Sequence, residues 1–154
     1  MMFRTHLAFA FLIGLIFLNF FSFEFNKYLF LSIILVSSII PDVDLSGSKI
    51  GRRIKPLSNI FNFLFGHRGF LHSLLFVLIL FLIFIFVKKE ILGLALFLGF
   101  FSHLFLDSLT KEGIRFFYPL KFKVNGFIKT NRIMENLMFF VFLVLSLFFV
   151  KVLF

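Results

Sequence analysis

Five apolar runs divide the chain, and polar segments separate them. The runs cover about residues 7 to 23, 28 to 40, 70 to 87, 91 to 107 and 133 to 154. A helix that crosses a bilayer needs ~17–25 mostly apolar residues, so four of the runs are long enough to span. The second run is shorter, and its length is as typical of a re-entrant or interfacial segment as of a span. The pattern predicts an all-α integral membrane protein with about five transmembrane helices in a single domain, residues 1–154.

The first run begins as a signal peptide would, with Arg4 before it, but no small-residue cleavage site follows. Its exit reads Asn19-Phe20-Phe21-Ser22-Phe23. We therefore expect a permanent helix here and not a cleaved leader.

Composition excludes a water-soluble domain. Apolar residues make up 61% of the chain and charged residues 15%, and the mean hydropathy is +1.10. A soluble domain of this size covers its apolar centre with polar surface that this chain lacks. The formal net charge of +9 indicates membrane orientation and contact with anionic lipid, and we expect no nucleic-acid partner.

The basic residues predict which way the helices run. With five spans, twelve Lys and Arg residues lie at the N-terminus and in the loops at 41–69 and 108–132, and four lie on the other side. The positive-inside rule then places the N-terminus and both long loops in the cytoplasm, in a cell (inner) membrane. If residues 28 to 40 do not span, the long loops stay cytoplasmic and only Arg4 and His6 change sides.

Both long loops contain patterned segments. After Pro56, apolar residues recur at helical spacing, which indicates a short interfacial helix or, equally well, a loop packed on the helix ends: Leu57, Ile60, Phe61 and Leu64. Residues 120 to 130 alternate loosely around the turn-prone pair Asn125-Gly126, which indicates a hairpin.

Every histidine and three of the seven acids fall in four polar clusters at the ends of the predicted helices. The clusters are Thr5-His6, Pro41-Asp42-Val43-Asp44, Gly66 to Ser73, and His103 to Asp107. With five spans, all four clusters lie at the cytoplasmic ends of their helices, where they can share one polar pocket. Both long loops lie on that side as well, so chance alone would also collect polar residues there.

Residue spacing favours a shared ion. His103 and Asp107 are four apart and therefore stack on one helical face, where they can give a nitrogen and an oxygen to one cation or form a structural ion pair. Asp42 and Asp44 project to the same side of an extended segment, although such a pair is also typical of a solvated turn. His6 lies one turn into an apolar helix, so its side chain should face the bundle as a ligand or as a partner to Asp42.

His67 and His72 are too far apart in helical phase to share a face, since five residues rotate by ~500°. His67 must therefore lie in the loop between Gly66 and Gly69, while His72 occupies the first turn of the third helix. The two form a plausible ligand pair, although a single histidine in either place is more often structural.

Grouped histidines and carboxylates at a membrane surface are costly without partners, and a divalent cation removes that cost. The chain has no cysteine, so nitrogen and oxygen ligands must hold the ion, which favours Zn²⁺ or Mn²⁺ over Mg²⁺. Seven ligands leave room for two ions, and two ions about 4 Å apart suit phosphoester hydrolysis. The predicted ligands are His6, Asp42, Asp44, His67, His72, His103 and Asp107.

Four motifs occur in order from residue 5 to residue 119. They are Thr5-His6, Pro41-Asp-x-Asp44, Gly66-His-Arg-Gly-x-x-His-Ser73 and His103-Leu-x-Leu-Asp-x-x-Thr-x-x-Gly113, followed by Tyr118-Pro119. Together they resemble the YdjM-like family of inner-membrane metal-dependent hydrolases. The resemblance implies a helical membrane protein, hydrolase activity and the same seven site residues, and it implies no substrate. Tyr118 stands where Trp is expected, which concerns an interfacial anchor and not the chemistry.

These observations predict a membrane-embedded metal-dependent hydrolase that cleaves a phosphoester or ester of a lipid or lipid-linked substrate at the cytoplasmic face. Asp44, His72 and Asp107 are the catalytic candidates. Arg68 and Arg115 are candidates to bind a substrate phosphate, although basic residues on this side also contact lipid headgroups.

Two other functions use the same residues. A divalent-cation carrier or sensor would place its ligands near the bilayer midplane on broken helices, whereas these ligands lie at helix ends, which favours the enzyme. A scaffold would use the polar cluster only to join helix ends.

Overall fold

The computed structural model describes residues 1–22, 24–44, 52–53, 56, 70–120, 122–130 and 132–153. Within them the chain forms five α-helices and two short 3₁₀ helices. The α-helices are α1 (Phe3–Phe20), α2 (Lys27–Ser37), α3 (Leu74–Phe86), α4 (Glu90–Ser108) and α5 (Ile133–Leu153), and the 3₁₀ helices are Pro41–Asp44 and Phe70–His72. Only isolated bridges, and no β-strand, accompany the helices in the described residues, so the predicted all-α class is confirmed.

Among the described residues, three helices are long and apolar enough to cross a membrane: α1, α4 and α5, with 18, 19 and 21 residues. The 11 residues of α2 make a helix of only ~17 Å, against a hydrocarbon thickness of ~30 Å. The third apolar run is also shorter than predicted, because α3 has 13 residues and begins at Leu74. The Ser73 hydroxyl caps α3 by accepting a hydrogen bond from the Phe76 backbone at 3.3 Å, and the preceding residues form the second 3₁₀ helix.

The helices alternate in direction, so the start of α1, α3 and α5 and the end of α2 and α4 lie at one end of the bundle. The pairing of His6 with Asp107, of Ser38 with His103 and of Arg4 with Asn136 shows this arrangement. Helix α1 packs on α2, α4 and α5, and α4 packs also on α2 and α3. Apolar side chains from α1, α2 and α4 form the main core: Ala10, Leu15, Leu18, Phe30, Leu31, Ile34 and Ala95.

The contact between α2 and α4 depends on Gly99. A Cβ atom at this position would overlap the Ser37 hydroxyl and the Ile34 carbonyl oxygen. The absence of a side chain lets the two helices approach closely, and this approach places the residues after α2 beside the end of α4.

The segment after α4 folds back on itself, but not as the hairpin predicted around Asn125-Gly126. Ile114 and Val124 exchange two backbone hydrogen bonds of 3.0 and 2.9 Å, so the partner of the 122–130 segment precedes it in the chain. The Gly126 backbone donates to the Thr110 carbonyl at 3.0 Å, and a Cβ there would overlap the Leu109 backbone. The glycine therefore serves this close approach and not a two-residue turn.

Candidate metal centre

Five of the seven predicted ligands meet at the end of the bundle where α1 begins and α4 ends. They form two groups, His6 with His103 and Asp107, and Asp42 with His72 and His103, and within each group one ligand atom per residue lies within 4.8 Å of the others. His6 belongs to the first turns of α1, Asp42 and His72 to the two 3₁₀ helices, and the other two to the last turns of α4.

Asp107 faces two imidazoles at once. Its Oδ1 atom lies 3.3 Å from His6 Nε2, and its Oδ2 atom lies 3.5 Å from His103 Nε2. The two imidazole rings are stacked, with centroids 3.9 Å apart and planes inclined by 10°. The Met1 amino nitrogen also contacts Oδ1, at 2.7 Å. The spacing of four between His103 and Asp107 therefore does place both side chains on one face of α4, toward α1.

The second group meets the same His103 ring. Asp42 Oδ1 lies 3.9 Å from His103 Nε2, and the His72 ring stands edge-on to the His103 ring at 5.3 Å. The side chains of His6, His72, His103 and Asp107 are at most 1% exposed, whereas that of Asp42 is 14% exposed. Among these five residues, Asp42 thus has the most exposed side chain.

The backbone fixes the orientation of the His103 ring. Its Nδ1 atom lies 2.7 Å from the Ser38 carbonyl oxygen, which can only accept, so Nδ1 carries a proton and donates it. Nε2 is then the atom that faces the two carboxylates. A hydrogen bond from the far ring nitrogen to a carbonyl oxygen is the usual support of a histidine that binds metal.

The unsatisfied polar atoms test whether a metal fits this group. Neither ring nitrogen of His6, nor Nε2 of His103, makes a hydrogen bond of acceptable geometry within the described part of the chain. Buried polar atoms nearly always have a partner. Imidazole nitrogens facing carboxylate oxygens at 3.3 to 3.9 Å are a set of ligand atoms that could hold a divalent metal ion.

The two groups share one histidine, His103. The Nε2 atom of a neutral imidazole has one lone pair and binds one ion, and Nδ1 is engaged by Ser38. His103 can therefore bind only one ion, so the two groups cannot each use it for a different ion at the same time. A second ion would need further ligands, and the remaining candidates are Asp44 and His67.

The other predicted site residues are less directly described. Asp44 ends the first 3₁₀ helix, but its side chain lies outside the described part of the chain, as do His67, Arg68 and the predicted interfacial helix over 57–64. Arg115 is exposed. The next residue, Phe116, accepts a backbone hydrogen bond of 2.9 Å from Leu74, which holds this segment beside the start of α3.

One buried acid at this end of the bundle was not predicted from the sequence. Glu135 lies in the first turn of α5, is completely buried, and accepts a hydrogen bond from the Met2 backbone. It is the only acid in the apolar run from 133 to 154. That position was the available indication, but an acid in the first turn of a helix is also typical of a solvated N-terminus.

Comparison with known proteins agrees with the family resemblance of the sequence motifs. The family model of the YdjM inner membrane protein matches residues 1–153. The chain belongs to the YdjM family. The predicted resemblance is thereby confirmed, and the family together with the long apolar helices shows an integral membrane protein.

The relatives of this YdjM family member include the proteins YvsG and YdjM of bacteria. The uncharacterized protein YvsG of Bacillus subtilis (strain 168) is 38% identical over 105 residues, which cover 66% of each chain. The inner membrane protein YdjM of Escherichia coli (strain K12) is 33% identical over 96 residues, which cover 58% of this chain and 48% of the relative. The same protein of Shigella flexneri matches equally. The chain thus spans between about half and two thirds of these relatives. No solved structure matches it.

Proposed function

We propose that this protein is a membrane-embedded, metal-dependent hydrolase that cleaves a phosphoester or ester of a lipid or lipid-linked molecule. The observation that carries the proposal is that His6, His103 and Asp107 meet Asp42 and His72 in two groups that share His103. Three imidazoles and two carboxylates from four separate segments are more than a structural ion pair needs.

We assign the residues to two roles, holding the ion and assisting the reaction of water with the substrate. Asp107 contacts two imidazoles, so we assign it with His6 and His103 to holding the ion. When bound, a divalent ion supplies positive charge that polarises an ester and makes water a better nucleophile near neutral pH. His72 and Asp44 belong to the two 3₁₀ helices, which contact each other, and we assign them as the candidates that assist the reaction of water with the substrate.

A lipid substrate suits the position of the group. The ligands lie at the ends of apolar helices, which is the depth at which the polar part of a lipid meets the hydrocarbon region. The excess of basic residues in the two long loops supports a cytoplasmic placement and would attract an anionic headgroup. Arg68 and the exposed Arg115 are the side chains that we assign to a substrate phosphate.

A second function uses the same centre without turnover. Four of the five described ligands are at most 1% exposed, and such closure is also typical of a protein that holds or carries a divalent cation. The two functions make different predictions for substrate turnover but the same prediction for metal binding.

Measuring substrate turnover before and after a chelator removes the metal distinguishes the hydrolase from a metal-binding protein without activity. We expect detergent-purified protein to hydrolyse at least one member of a panel of phosphomonoester, phosphodiester and carboxylic ester lipids. Stripping with a chelator should abolish turnover, and Zn²⁺ or Mn²⁺ should restore it. Asp107→Asn should lower turnover by about 100-fold or more, because losing even a residue behind a ligand costs 10–100-fold. Lys151→Gln, at the far end of α5, is the matched control.

Turnover that survives chelation, or that Asp107→Asn leaves unchanged, would refute the hydrolase mechanism. Stoichiometric metal binding without turnover across the panel would favour the carrier or the non-catalytic metal protein.

A further inference from the structure

Helix α5 buries almost nothing except an acid. Among its described residues only Glu135 and Ser146 are buried, and the side chains of most of its large apolar residues face outward. Burying a carboxylate away from water is unfavourable unless hydrogen bonds replace the lost solvation. Apolar burial therefore does not explain why Glu135 lies inside, and its contacts must be considered.

One partner of the Glu135 side chain is the residue before α1. Its Oε1 atom accepts a hydrogen bond from the backbone N–H of Met2, the residue that precedes the helix. The Met2 carbonyl in turn accepts hydrogen bonds from the backbone of Thr5 at 3.0 Å and of His6 at 3.4 Å. A single residue, Met2, thus connects the Glu135 carboxylate to the backbone of a predicted metal ligand, His6.

Further contacts hold the same two helices together beyond this point. Arg4 donates a hydrogen bond of 2.6 Å to the Asn136 side chain, and its guanidinium lies 5.1 Å from the centre of the Phe139 ring. The rings of Phe9 and Phe142 are 4.8 Å apart. Glu135 lies at the end of this contact line where both helices begin.

We infer that Glu135 is a positioning residue of the centre, which holds the first turn of α1 so that His6 faces Asp107 and His103. The inference rests on the proposed function only in that the centre binds a metal. The first turn of a helix has backbone N–H groups without helical partners, so an external acceptor is the natural way to fix it. Residues that orient metal ligands from behind contribute 10–100-fold to metal affinity.

Metal affinity tests this role in the full-length chain. We expect Glu135→Ala to weaken Zn²⁺ binding by about 10–100-fold in a competition titration against a chromophoric chelator. Glu135→Gln keeps an oxygen acceptor at the same place and should bind Zn²⁺ nearly as the parent does. Asn136→Ala is the matched control, because it removes a contact between α1 and α5 that does not reach Met2.

A double-mutant cycle separates positioning from a general loss of packing. If Glu135 acts through His6, then Glu135→Ala should cost little further affinity in a His6→Ala background. An equal loss of affinity in both backgrounds would overturn the inference, and so would unchanged affinity in Glu135→Ala.

A metal-free measurement distinguishes failure of this inference from failure of the proposed function. The chain has four histidines, so nitrogen NMR of histidine-labelled protein gives few ring signals, and His6→Ala assigns one set. Glu135→Ala should shift the His6 signals in the chelated protein, and Glu135→Gln should not. If the parent binds no Zn²⁺, the proposed function fails while this shift still supports the positioning role. Unchanged His6 signals would refute that role.

Discussion

Replacing His103 with Ala is expected to abolish tight binding of divalent metal. His103 belongs to both ligand groups, and its Nε2 atom lies between the Asp107 and Asp42 carboxylates at 3.5 and 3.9 Å. We expect Zn²⁺ affinity to fall by more than about 100-fold, since the loss of a direct ligand exceeds that of a residue behind it. His6→Ala and His72→Ala each weaken one group and should have smaller effects. Competition titration with a chromophoric chelator measures all three.

The control for this substitution lies next to it in the chain. Ser102 is buried on α4 and donates a hydrogen bond of 2.7 Å to the Gly99 carbonyl, away from the ligand groups. Ser102→Ala should therefore keep the parent affinity. If His103→Ala also binds Zn²⁺ as the parent does, His103 is not a ligand.

Substituting Gly99 with Val is expected to destabilise the protein and weaken metal binding together. A Cβ atom there meets the Ile34 carbonyl oxygen, which belongs to the backbone and cannot move unless α2 moves. Overpacking of this kind costs about 1–3 kcal/mol, and more when the backbone must shift. Because α2 leads to Ser38 and Asp42, its displacement should also loosen the support of His103. Thermal melting followed by circular dichroism, with Zn²⁺ titration on the same samples, measures both effects.

Gly14 provides the matched comparison, since it lies in the contact between α1 and α2. A Cβ there would meet Leu31 Cδ2 at 2.7 Å and Ile34 Cδ1 at 3.1 Å, which are the ends of flexible side chains. Gly14→Ala should therefore lower the melting temperature less than Gly99→Val and should leave Zn²⁺ affinity near that of the parent. A Gly99→Val protein that melts like the parent would show that the close approach of α2 and α4 is not required.

Hydropathy located the helices well where burial in lipid decides the structure. The runs at 7 to 23, 91 to 107 and 133 to 154 each correspond to one long helix, α1, α4 and α5. The hydropathy pattern was wrong where hydrogen bonds determine where a helix begins or which segments pair. The Ser73 hydroxyl starts α3 later than the apolar run does. The pairing of Val124 with Ile114 replaces the expected hairpin, because the partner is set by how the loop packs on the end of α4.

The site was predictable to the extent that polar residues are conspicuous in apolar helices. His6 and the pair His103 and Asp107 stand in long helices where polar side chains must face the bundle, and the alternation of helices places them at one end. The sharing of His103 by two groups and the support from the Ser38 carbonyl depend on how closely α2 approaches α4. Glu135 was missed because burial of a first-turn acid depends on a contact with a segment more than a hundred residues earlier.

X-ray absorption at the zinc edge of zinc-loaded protein tests the central claim most directly. The account predicts stoichiometric zinc with imidazole nitrogens at ~2.0–2.1 Å and carboxylate oxygen in the same shell, since the chain has no thiolate to offer. The imidazole contribution should fall in His6→Ala and disappear, with the bound zinc, when His103→Ala is added. A zinc shell made of oxygen alone, or a spectrum that the double variant leaves unchanged, would contradict the account.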